Sequence, residues 1–366
     1  MSPGMDRRWL ALIILCLGTL MIVLDATIVN VALPSIREDL GFSETSLAWV
    51  VNAYLLTFGG FLLLSGRLGD LFGHRRLFLL GIVLFTLASL ACGLSTSQGF
   101  LIAARAVQGL GGAIVSAVAL SLIMTLFTET GERAKAMGVY GFVASGGGTL
   151  GVIAGGVLTD LFSWHWIFLV NIPIGVAVYA LSSALLPRDQ VAVGDRKVDV
   201  AGAVIVTASL MLAVYAIVNG NEVGWLTFRT IGILTAAGVL LATFLVVELR
   251  VSQPLVPLGL FRHRTLSTAN GVAVLLAGAM FAWFFLSALY LQLVLGYSPL
   301  QVGLAFLPAT IIMGSFSLGL SAKLVMRYGL KLPLVGGLLL YVLVLAFFAR
   351  VPENGSFAVD ILPGML

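Results

Sequence analysis

Gly66-Arg67-Leu68-Gly69-Asp70-Leu71-Phe72-Gly73-His74-Arg75-Arg76 reads as a short cationic loop with one acid, held between two long apolar runs. Residues 322–331, Ala322-Lys323-Leu324-Val325-Met326-Arg327-Tyr328-Gly329-Leu330-Lys331, repeat its spacing, keeping the glycine and the basic positions but placing Met326 where the acid was. Such an echo predicts a membrane protein built from two related halves, as transporters are, with the first loop as a gate.

Composition agrees. A chain that is 60% hydrophobic and 10% charged, with mean hydropathy +1.10, cannot present a surface that water must wet, so it is read as an integral membrane protein. Its formal net charge of +4 matters less than where the charges fall, and nucleic acid is not expected as a partner. Cys16 and Cys92 lie far apart inside apolar runs, and His74, His165 and His263 are scattered. Neither a disulfide framework nor a metal site is expected.

Apolar stretches long enough to cross a hydrocarbon core, about 20 residues, run near 9–34, 46–66, 76–95, 99–127, 134–158 and 166–186. Five more follow near 198–219, 230–249, 266–295, 300–322 and 332–350. Residues 361–366 look like the opening of a twelfth span that is cut off. The sequence therefore predicts an all-α bundle of about eleven complete spans plus the start of another, and an incomplete transporter. With a cytoplasmic amino terminus, sixteen of the twenty Lys and Arg lie inside and only Arg37, Arg229 and Arg350 outside, Arg105 being within a span. That asymmetry fits the rule that basic loops stay inside. Trp164, Trp166 and Trp225 fall at the outer boundaries and Trp9 at the inner one.

Two charges stand inside spans. Asp25 costs roughly 2.5–3.5 kcal/mol at such a depth; burial penalises its charged form, which makes it a candidate proton carrier. Arg105, the one basic residue within a span, must face a polar cavity or a counter-ion, and Asp25 is the obvious partner. Gly109, Gly111 and Gly112 after it let another backbone come close. In the fifth span Gly147, Gly151 and Gly155 form a small-xxx-small ladder. Residues 146–151 also match GxGxxG, but no strand–turn–helix unit fits inside a span, so a dinucleotide site is rejected.

Together these segments resemble the major facilitator superfamily, specifically its fourteen-helix drug:proton antiporter branch. Residues 66–76 look like its signature loop, with Gly66, Arg67, Asp70, Gly73, Arg75 and Arg76 as gating positions. Arg105 to Gly112 is similar to its fourth-helix motif, and Leu24 to Pro34 to the first-helix motif. Gly138, Gly147, Gly151, Gly155 and Gly156 fall on the spacing of the antiporter motif, with Val152 where that motif has proline. Residues 49–56 and 171–175 also resemble the branch, and His165 stands where it usually has arginine.

The resemblance implies two bundles around a central cavity: a six-helix bundle at 9–187, a linker with two inserted spans at 188–250, and an incomplete second bundle at 265–366. It implies proton-coupled export of amphipathic small molecules across a bacterial plasma membrane by a multi-pass monomer, with Asp25 and Arg105 coupling the proton. Asn52, Tyr54 and Gln108 are candidate cavity contacts, and Trp283, Phe284 and Phe285 a candidate aromatic wall. Partners are then the small-molecule substrate, protons and the bilayer, with no cofactor. The alternatives are a metabolite facilitator or importer of the same fold, or a truncated fragment that does not transport. An enzyme is not expected, because no P-loop, nucleophile elbow or metal cluster occurs.

Overall fold

A computed structural model describes residues 3–187, 189, 200–251, 254–316, 320–352 and 355–366, and among them there are helices and no strand. Within hydrocarbon only a helix satisfies its own backbone, so each long apolar run becomes one. The first spans are α1 (Pro3–Leu40), α2 (Glu44–Phe72), α3 (His74–Gly93), α4 (Gln98–Leu126) and α5 (Thr130–Leu161). The sixth is split at Val170 into α6 (Trp166–Leu169) and α7 (Asn171–Leu185). Pro173 lies in the first turn of α7, where its missing N–H costs nothing.

Two long helices, α8 (Val200–Val223) and α9 (Phe228–Glu248), follow as a hairpin. Ser209 Oγ of α8 donates to the Ala237 carbonyl of α9 at 2.8 Å. The hairpin docks on α2, where Trp49 lies 5.7 Å from Tyr215 and a side chain on Gly60 would meet Met211. The remaining helices are α10 (Arg264–Leu293), α11 (Pro299–Ala305), α12 (Leu307–Ser315), α13 (Ser321–Tyr328), α14 (Lys331–Phe348) and α15 (Leu362–Met365).

Ten described helices are long and apolar enough to cross a membrane. The span expected at 300–322 is not a single helix. It breaks at Phe306, because Pro308 has no N–H for the helical ladder, and α11 and α12 together make a shorter apolar segment. Trp164 lies in the turn between α5 and α6. It is 4% exposed, and its indole N–H donates to Asp39 at 3.0 Å.

The cationic segment at 66–76 is not a loop either. Helix α2 runs on through Phe72, and Gly73 alone makes the turn into α3, at φ +98°. Its echo behaves alike: α13 ends at Gly329, φ +73°, just before α14 begins.

The largest apolar cluster among the described residues joins α1, α2, α3, α4 and α7 around Leu15, Phe78, Phe85 and Val115. A separate one joins α10 to α12 around Trp283, Leu291 and Phe306. Lipid is as apolar as leucine, so these contacts hold by close packing and buried polar groups rather than by escape from water.

Candidate functional site

A carboxylate in α1 persists only if other spans bring it donors. Asp25 Oδ2 accepts from Arg105 Nη1 of α4 at 2.5 Å. Its Oδ1 accepts from Gln108 Nε2 at 2.7 Å and from Asn171 Nδ2, at the start of α7, at 2.9 Å. Arg105 and Gln108 are three residues apart and so share one face of α4.

The guanidinium is fixed from further sides. Its Nε donates to the Val50 carbonyl of α2 at 2.9 Å, and Nη1 also reaches Gln108 Oε1 at 2.6 Å. Its central carbon lies 4.3 Å from the centre of the Tyr54 ring and 5.5 Å from that of Phe168, so two aromatic faces share the charge. From α3, Ser89 Oγ accepts from Gln108 Nε2 at 2.7 Å, and the Cys92 thiol donates to Gln108 Oε1 at 3.6 Å. Asp25, Ser89, Arg105, Gln108 and Asn171 are all 0% exposed. In this conformation nothing reaches the centre unless helices move. Arg105 Nη2 and Asn171 Oδ1 are buried there without a hydrogen-bond partner.

The candidate cavity contacts divide. Gln108 belongs wholly to this network, and Tyr54, 2% exposed, forms its floor with its hydroxyl donating to the Ile22 carbonyl at 3.4 Å. Asn52 is half-buried on α2. Trp283 and Phe284 pack with Phe306, the phenylalanine rings 5.2 Å apart; the Phe285 side chain lies outside the described residues.

At the turn between α2 and α3, Asp70 Oδ1 lies 3.2 Å from His74 Nε2 and Oδ2 3.9 Å from Arg67. Gly66 faces open space on α2, Arg75 Nη2 donates to the Ser183 carbonyl at 2.5 Å, and the Arg76 side chain is exposed. The group that organises the turn is Asp189, beyond span six, which sequence reading passed over. Its Oδ1 and Oδ2 accept from the backbone N–H of Arg75 and Arg76 at 2.9 and 3.0 Å, capping the positive end of α3. A side chain on Gly73 would run into that carboxylate. Gly73→Ala is therefore expected to cost about 2–3 kcal/mol, from backbone strain plus the lost cap, whereas Asp189→Ala costs about 1 kcal/mol. Thermal unfolding of the purified protein in detergent checks both; equal stability of Gly73→Ala and the parent would refute the fit.

Helix α5 has two working faces. A side chain on Gly147 would meet Leu20 and Val23, one on Gly151 would hit Thr27, and one on Gly155 would lie 2.8 Å from the Ile28 carbonyl, so α1 and α5 touch almost backbone to backbone. Gly138, on the same helix, is half-buried. The other face meets α11 and α12: Gly156 against Leu300, Val152 against Gly303, and Phe142 against Gly314. Thr149 and Thr310 hydroxyls hydrogen-bond at 2.6 Å across this seam.

The sequence profile of the Major Facilitator Superfamily matches residues 15–365. The chain is 41% identical over 348 residues, 95% of its length, to the puromycin resistance protein of Streptomyces alboniger. It is 44% identical over 309 residues, 83% of its length, to the cephamycin export protein of Amycolatopsis lactamdurans. It spans 69% and 63% of those proteins' own lengths. In fold it is similar to a human organic anion transporter, TETRAN, with a TM-score of 0.61 at 17% identity, covering 100% of this chain and 85% of that one.

Proposed function

Because this chain belongs to the Major Facilitator Superfamily, we propose that it works in proton-driven export of amphipathic small molecules, antibiotics among them, by alternating access across the plasma membrane. The amino terminus faces the cytoplasm, the two halves rock about the α5 seam, and the protein acts as a monomer. Asp25 is the proton-binding group. Proton binding and substrate binding favour opposite-facing states, so the gradient drives efflux.

The observation that carries this reading is the Asp25–Arg105 pair and its shell. Protonating a carboxylate that accepts hydrogen bonds from three side chains on two other spans cancels its ion pair with Arg105 and weakens each of those bonds. Charge at that point and helix arrangement are thereby coupled. Two relatives named for antibiotic resistance and export support puromycin and cephamycin as first probes.

The test uses membrane vesicles containing the full-length protein, with puromycin transport followed with and without an imposed pH gradient. Asp25→Asn is expected to reach the membrane in parent amounts and to lose gradient-driven transport by about tenfold or more. Gradient dependence retained in that variant would put the proton site elsewhere.

A further inference from the structure

Among the described residues every hydrogen bond to the Asp25 carboxylate comes from a donor: Arg105 Nη1, Gln108 Nε2 and Asn171 Nδ2. A protonated carboxyl has the opposite need, because its O–H requires an acceptor. The nearby acceptors are largely spoken for. Gln108 Oε1 holds Arg105 and Cys92, Ser89 Oγ holds Gln108, and the Val50 carbonyl holds Arg105. Asn171 Oδ1 is buried and without a partner, on a residue whose other amide atom already bonds Asp25.

We infer that Asn171 is the protonation-sensing partner of Asp25: its amide donates to the carboxylate through Nδ2 and, turned about its last side-chain torsion, accepts from the neutral acid through Oδ1. This rests on the reading of Asp25 as the proton-binding group. The turn is open to Asn171 because that torsion is broad and two-fold. It is open to the surroundings because Arg105, on losing its counter-charge, keeps the Val50 carbonyl, Gln108 Oε1 and the faces of Tyr54 and Phe168. The titratable or charged groups facing Asp25 are Arg105 from α4, Tyr54 from α2 and Cys92 from α3; α7 contributes the asparagine amide, and α5 faces this stretch of α1 with glycines. Asn171 is also the first residue of α7, directly after the break in the sixth span, so the amide turn acts at a helix end.

The experiment is infrared difference spectroscopy of the full-length protein in lipid, titrated with acid, with asparagine isotopically labelled at its side-chain amide. Protonation of Asp25, identified as the carboxyl band missing in Asp25→Asn, is expected to bring a shift of one labelled amide carbonyl with the same midpoint. That shift is absent from Asn171→Leu. In vesicles Asn171→Leu is expected to lose about tenfold of gradient-driven puromycin transport, the scale of one hydrogen bond to a charged group, while Asn171→Gln recovers part of it. An Asp25 carboxyl band with no accompanying asparagine shift overturns this inference alone. Absence of any Asp25-dependent band overturns the proton-site reading and this inference with it.

Discussion

Arg105→Ala is expected to cost the fold about 3–5 kcal/mol and to abolish transport. The pair it breaks is fully inside the bundle, with side chains 1% and 0% exposed, so solvent cannot screen what remains. Asp25 would keep only the amide donors of Gln108 and Asn171, with no positive charge to balance it. Lysine is no substitute. One ammonium cannot reach the Val50 carbonyl, Asp25 and Gln108 together as the planar guanidinium does, nor lie flat against Tyr54. The decisive variant is the double one, Arg105→Ala with Asp25→Asn. It removes the orphaned charge and is expected to regain more than half of the lost stability while transport stays absent. Thermal unfolding in detergent and vesicle transport read the two effects separately. A single Arg105→Ala protein of parent stability would show that the pair does not hold the bundle.

The double variant Val152→Cys with Gly303→Cys is expected to cross-link on mild oxidation and stop transport, with full recovery on reduction. A Cβ on Gly303 lies 3.3 Å from that of Val152, near the about 3.5–4.5 Å that a disulfide spans. The native thiols do not compete, because Cys16 and Cys92 are both buried. If the protein works by the proposed alternating access, α5 has to leave α11 and α12, which it meets along a seam from Phe142–Gly314 to Gly156–Leu300. A covalent bond there holds one state. Transport that continues at the parent rate after complete cross-linking, scored by mobility on a denaturing gel, would mean that the seam does not open in the cycle. Val152 has a further meaning here. It fills the hole left by Gly303, so the residue that replaces the motif proline serves as a packing knob.

Much of this molecule is legible in its sequence. Spans could be read because hydrocarbon forces a backbone to satisfy itself within each segment, and that constraint writes itself as about 20 apolar residues. The broken segment at 299–315 could have been suspected from Pro308 alone. Asp25 and Arg105 stood out for the same reason that they end up together: an isolated charge in a span is expensive, and two of opposite sign have one cheap solution. The glycines of α5 were legible as a ladder because spacing by four puts them on one helix face.

What the sequence by itself determined is therefore the local and the periodic: an all-helical membrane protein, its spans, and two intramembrane charges of opposite sign. Only the tertiary structure decided which groups surround those charges. Ser89 and Asn171 are ordinary polar residues in their own helices, and they matter because α3 and α7 pass α1 at one depth. Asp189 likewise gave no local signal, since a helix cap supplied from more than a hundred residues away has no spacing to read. Residues 66–76 read as a longer loop because charge density looks like a loop in one dimension. In three dimensions the helix continues until the single position where a positive φ and a neighbouring carboxylate leave room only for glycine.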